Sequence, residues 1–254
     1  MKYKSYKLGN NKAYSIIKNS SPYYSINIKR LKDPKYIFRY CEKFLNKKLS
    51  NKKPLQILDI GCANGEFINF LYSKHPHHYY TGIDIHKDFI SLAKDFHKKK
   101  NIKYVNIDFL KFNGKFDIIF FMGTFPIFSE TKKPLSKLVN LLNKKGTSII
   151  EGRFNKFNCD VILNFRDRSI NKKNNLWRCD FNIHSEESII KNLKKISNKI
   201  SYKFEHKFID KNINFNRKNP HTYAYTFKDS KNNFRITSGL HQLMDPSFLI
   251  LKNN

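Results

Sequence analysis

The chain of 254 residues lacks several things that would place it in a special class. No apolar run approaches the roughly 20 residues that span a bilayer. The N-terminus is basic but carries no apolar stretch behind the charges, so no secretory signal is expected. Cysteine is scarce: the four thiols, at 41, 62, 159 and 179, have no CxxC spacing and no metal-site pattern. They read as reduced thiols of a cytoplasmic protein that holds no metal. No internal repeat is visible, and a chain of this length suits one compact domain with additions.

Alanine and arginine are also rare. Alanine occurs at 13, 63, 93 and 224 alone, and only 8 of the 49 basic residues are arginine. The net charge of +29 therefore comes almost wholly from lysine. Together with much Asn, Ile, Phe and Tyr, this is the composition an AT-rich genome produces. Recognition of phosphates and bases favours the planar fork of arginine. A solvated lysine surface is thus the plain reading, with an anionic substrate or nucleic acid as the alternatives.

What is present is more specific. Leu55 to Ile60 is an apolar run that reads as a buried strand, followed by Gly61-Cys62-Ala63-Asn64-Gly65-Glu66 and a helix over Glu66 to Lys74. Small residues at 61, 63 and 65 let backbone approach a ligand. A dinucleotide fingerprint needs a further glycine where Glu66 stands. A P-loop needs a Lys-Ser/Thr pair that is absent. Tyr79 to Ile85 is a second strand with Asp84 near its end, nineteen residues after Gly65. Ile102 to Phe109 is a third, ending on Asp108 and Phe109. Phe116 to Phe121 is a fourth, running into Met122-Gly123-Thr124, and Leu141 to Glu151 holds a fifth. Ligands of open α/β sheets lie outside the carboxyl ends of the strands, where these acids fall.

Five strand ends in this order, with acids at the first three, resemble the class I methyltransferases that use S-adenosylmethionine (SAM). The resemblance implies a Rossmann-like α/β fold: a seven-stranded, mostly parallel sheet with helices on both faces, an N-terminal arm and an inserted C-terminal β-hairpin. It divides the chain into an N-terminal helical arm or lid (1–50), a SAM-binding core (51–152) and a remainder with acceptor-binding insertions (153–254). It also implies that Asp59, Gly61, Ala63 and Gly65 hold the methionine end of the cofactor. Asp84 would accept from the ribose hydroxyls, and Asp108 from the adenine amine, with Ile85 or Phe109 against the ring. Met122 and Gly123 would lie near the reacting groups.

The flanking segments are read from pattern. Asp33-Pro34 predicts a helix start, and Ile37, Phe38, Cys41, Phe44 and Leu45 recur at helical spacing behind it. A helix over Asp88 to Lys98 ends on a lysine run that suits its negative pole. Ser185 predicts the cap of a helix through Ile196. Tyr202 to Ile209 and Ser247 to Leu251 suit the last two strands, with a hairpin from His221 to Phe227 and Asn233 to Thr237 between them.

The acceptor is less constrained. The Asp/Asn-Pro-Pro-Tyr/Phe element of enzymes that methylate nucleobase amines is missing from the stretch at 121–128, as is the Pro-Cys pair of cytosine C5 enzymes. The chain resembles small bacterial methyltransferases of surface-polysaccharide pathways, including those that methylate a phosphoramidate on capsules. That implies O-methylation of a small, polar or phosphorylated, nucleotide-linked precursor. Candidate acceptor-binding residues are Arg153, Arg166, Arg168 and Arg178, with Tyr23 and Tyr24 as gating aromatics. Candidate bases are His184, His221 and His241. An RNA methyltransferase using the basic surface, and a SAM-binding protein without turnover, are the other readings.

Overall fold

The computed structural model describes residues 33–165, 178–179, 182–207, 224–238 and 247–254. The elements around the sheet are α1 (Tyr36–Leu49), β1 (Gln56–Ile60), α2 (Glu66–Lys74), β2 (Tyr79–Asp84), α3 (Lys87–Phe96), β3 (Ile102–Asn106), β4 (Phe116–Phe121), α4 (Lys132–Leu141) and β5 (Leu142–Gly152). Three short pieces follow, β6 (Phe154–Asn155), β7 (Asn164–Phe165) and β8 (Arg178–Cys179), then β9 (His184–Ser185) and α5 (Glu186–Ile196). The chain closes with β10 (Ile200–His206), the hairpin β11 (Ala224–Lys228) and β12 (Phe234–Ser238), and β13 (Ser247–Asn253).

Seven of the strands form one sheet in the order β10-β13-β5-β4-β1-β2-β3. β13 runs antiparallel to both of its neighbours, and the other pairs are parallel. Strand alternation sorts the side chains into two cores, one on each face. Leu58, Ile60, Ile119, Phe121, Ile150, Leu249 and Leu251 point to the side covered by α4 and α5. Ile57, Ile118, Phe120, Ile149, Phe248 and Ile250 point to the side of α1, α2 and α3. The period of two, apolar at both parities, marks strands buried on both faces.

The helices follow from equally simple rules. Phe38, Cys41, Leu45 and Leu49 form one buried stripe on α1, and Phe38 packs on Phe67 and Phe70 of α2. Ser185 caps α5 by accepting from the Ser188 N–H at 3.0 Å, with Glu186 and Glu187 in the first turn. Several expected boundaries shift: β3 stops at Asn106, short of Phe109, and β10 runs from Ile200 to His206 rather than from Tyr202 to Ile209. α1 starts at Tyr36, because the Asp33 carboxylate pairs with Arg39 at 3.7 Å rather than capping the helix. α3 stops at Phe96, so the run Lys98 to Lys100 lies in the turn before β3 and not on the helix end.

Strand order reverses between β1 and β4: from β1 the chain builds outward through β2 and β3, and from β4 in the other direction. The loops leaving these two strands flank the switch point, where α/β sheets open a crevice.

Candidate active site

The loop after β1 makes three left-handed steps at alternate positions: Gly61 (φ +74°), Ala63 (φ +46°) and Gly65 (φ +80°). It is stitched to β2 by Gly61 and Cys62 N–H groups that both donate to the Ile83 carbonyl, at 2.8 and 3.0 Å. The small residues have a cause the sequence did not suggest. A Cβ on Gly61 would lie 2.1 Å from Thr124 Oγ1, and one on Gly65 would lie 2.5 Å from the Tyr104 hydroxyl. Both glycines thus admit neighbouring protein. Gly123 differs: it is left-handed (φ +67°) with nothing within 4 Å of a Cβ, so it borders open space.

Asp84 organises the loop. Its Oδ2 accepts from the Ala63 N–H at 3.0 Å and its Oδ1 from the His86 N–H at 2.8 Å. Burial raises the pKa of this carboxyl, while the His86 imidazole and the backbone N–H groups of His86, Ala63 and Ile85 oppose the rise. Asp59, at the carboxyl end of β1, is only 4% exposed. Burial, and then the Asp84 charge, push its pKa up to about 8. Among the described residues no hydrogen-bond donor meets the Asp59 carboxylate. A buried acid of this kind suits a cationic ligand group, which would supply the missing counter-charge.

Asp108 accepts from the Leu110 N–H at 2.9 Å through Oδ1 and so starts a short 3-10 turn. Phe109 packs inward, 4.9 Å from the Phe121 ring centroid, whereas Ile85 is half-buried beside Asp84. Met122 is half-buried, and its sulfur receives the Cys41 thiol at 3.5 Å.

Glu151, which sequence reading passed over, joins the ends of β4 and β5. One carboxylate oxygen accepts from the Gly123 N–H at 2.8 Å and the other from Arg153 Nη1. Arg153 also donates to the Gly152 carbonyl. Glu151 lies in the stretch from Gly146 to Gly152, which is buried at every position, and an acid inside that run is the signal that was available for it.

His184 is 2% exposed, with Nε2 3.0 Å from the Phe128 carbonyl. Burial lowers its pKa, and its ring lies edge-on to Phe125. This imidazole ties β9 to the segment after β4. Tyr23, Tyr24, Arg166, Arg168, His221 and His241 lie outside the described residues, and Arg178 is described only as part of β8.

Comparison with known proteins agrees with this geometry. The family described as "Methyltransferase domain" matches residues 51–212. A curated relative, the malonyl-[acyl-carrier protein] O-methyltransferase of Acetivibrio thermocellus, is 31% identical over 100 residues, or 39% of this chain. The match spans about a third (35%) of that protein's length. Among solved structures, magnesium protoporphyrin IX methyltransferase of Synechocystis PCC 6803 with bound S-adenosylhomocysteine (SAH) superposes with a TM-score of 0.53. The identity is 13%, covering 86% of this chain and 82% of that one. The plantazolicin methyltransferase BpumL, also with SAH, gives a TM-score of 0.52 at 17% identity, covering 88% and 87%. The fold is the Rossmann-like methyltransferase fold.

Proposed function

We propose that this chain, which belongs to the methyltransferase-domain family and so is a SAM-dependent methyltransferase, O-methylates a small anionic acceptor, such as a phosphorylated precursor of a surface polysaccharide. The observation that carries the acceptor class is the Glu151–Arg153 pair at the rim of the switch-point crevice. It places a guanidinium, held by a buried carboxylate, beside the open backbone of Gly123. A guanidinium so oriented receives a carboxylate or phosphate in a fixed geometry. The curated relative is named for O-methylation of a malonyl group on its carrier, which is consistent with an oxyanion as nucleophile.

SAM supplies an activated methyl carbon, so the protein's work is alignment and exclusion of water. Asp59 binds the cationic end of the cofactor, Asp84 fixes the ribose, and Asp108 orients the adenine. Arg153 draws the acceptor oxyanion to the rim above Gly123. An acceptor that is already ionised needs no general base. This accords with the structural bond of the His184 imidazole to Phe128.

Calorimetry with SAM and SAH, followed by transfer of a labelled methyl group to a panel of sugar phosphates, nucleotide-linked sugars and uncharged sugars, tests the reading. Turnover should concentrate in the anionic members and fall with Arg153→Gln through a higher KM. Turnover confined to uncharged acceptors, or to RNA, would sink it.

A further inference from the structure

We propose that the end of the molecule opposite the crevice docks on an anionic bilayer surface. Topology sorts the charge of this chain along the strand direction. The acids at 59, 66, 84, 88, 108 and 151 all fall at the carboxyl ends of strands or the helix starts that follow them. The crevice end carries lysines among these acids, at 87, 111, 132, 133 and 156. The turns entering the strands carry lysine with few acids: Lys52 and Lys53 before β1, Lys98 to Lys100 before β3, and Lys144 at the start of β5, all exposed. Lys115, Lys199 and Lys252 extend the same face toward β4, β10 and the end of β13.

Among the described residues, acids at this end are few and engaged. Asp117 accepts from the Gln56 N–H and from the Asn143 amide, and Glu42 pairs with Lys74. Asp95 is the exception, exposed in the last turn of α3. Among the described residues no arginine lies on this face. Lysine is a compact, hydrated point charge, suited to diffuse attraction rather than to the forked reading of phosphates and bases. Two exposed aromatics stand on the same end, Tyr79 (51%) at the start of β2 and Phe96 (57%) at the end of α3. Lysines around exposed aromatic rings match the headgroup zone of an anionic leaflet, where each lysine adds attraction and rings settle at the interface.

Strands of five or six residues put this face roughly 17–20 Å from the crevice, about two Debye lengths at physiological salt. Docking and cofactor binding are therefore separable, whatever the acceptor.

The test is sedimentation of the full chain with phosphatidylcholine vesicles, with and without phosphatidylglycerol, at low and high salt. Binding is expected only with phosphatidylglycerol and is expected to fall with salt. Lys52→Gln, Lys53→Gln, Lys98→Gln, Lys99→Gln, Lys100→Gln and Lys144→Gln together should weaken it by about a hundredfold or more, below the ceiling of roughly fivefold per lysine. SAM affinity should not change, which also shows that the variant folds. Lys87→Gln, Lys111→Gln, Lys132→Gln, Lys133→Gln and Lys156→Gln together, on the crevice side, should cost much less. Equal losses in the two variants would trace binding to net charge and overturn the proposal. So would an absence of vesicle binding, or a mixed-sequence RNA that binds this face more tightly than the vesicles do.

Discussion

The proposed role of Asp59 in holding the cofactor is measurable through stability. Its carboxyl rises from the ordinary 3.8 to about 8 in the folded chain, driven first by burial and then by Asp84. Between those values the folded state holds a proton that the unfolded state has released. Stability must then fall as pH climbs from about 4 to about 8, and it should flatten above that. At about 1.4 kcal/mol per tenfold in proton affinity, the ceiling of the effect is on the order of 5 kcal/mol. For a chain of this size each kcal/mol moves Tm by about 2–4 °C, so the full effect is on the order of 10 °C or more. Asp59→Asn keeps the shape and removes the titration. The assay is Tm against pH for wild type and variant without cofactor, read as a difference so that the other groups cancel. The variant should gain on wild type steadily from pH 4 to 8. Saturating SAH should shrink that gain, because its ammonium stabilises the wild-type carboxylate and not the amide. A difference that stays flat with pH would refute the burial argument. A difference that SAH leaves untouched would refute the assignment of Asp59 to the cofactor.

Asp84→Ala should weaken SAM binding by more than ~1 kcal/mol, the scale of a charge-assisted hydrogen bond, in calorimetry. Asp84→Asn should retain part of it by keeping the acceptor to Ala63 or His86. Gly61→Ala should destabilise by about 2 kcal/mol or more, from the left-handed backbone and the 2.1 Å approach to Thr124, as denaturant melts will show. Thr124→Ala should recover the steric part alone. Ser185→Ala should cost about 1 kcal/mol through loss of the α5 cap. His184→Gln should lower stability by about 1–2 kcal/mol and leave the pH profile of kcat unchanged, whereas a shifted profile would restore it as a base.

The parts readable from sequence are those fixed by local pattern. Strand runs bounded by acids, the stripe on α1 and the Ser185 cap each depend on a few adjacent residues, and they appear where expected. The parts not readable depend on what lies across the sheet. The start of α1 moves because Arg39 competes for Asp33, and that competition needs the helix to exist first. Gly61 looks from sequence like a ligand contact, yet its missing Cβ makes room for Thr124, sixty-three positions away on the loop after β4. Glu151 is the sharper case. In the sequence it is one acid at a strand end, while register sets Phe121 opposite Ile150 and so brings Glu151 level with Met122 and beside Gly123. An acid there satisfies the N–H of Gly123, which faces open space, and it bonds the Arg153 guanidinium. The contacts proposed for the acceptor come from such cross-strand register, whereas each residue proposed for the cofactor sits at a strand end that its own local pattern marks. That difference in range is the physical reason a cofactor can be read from a linear motif when the acceptor cannot.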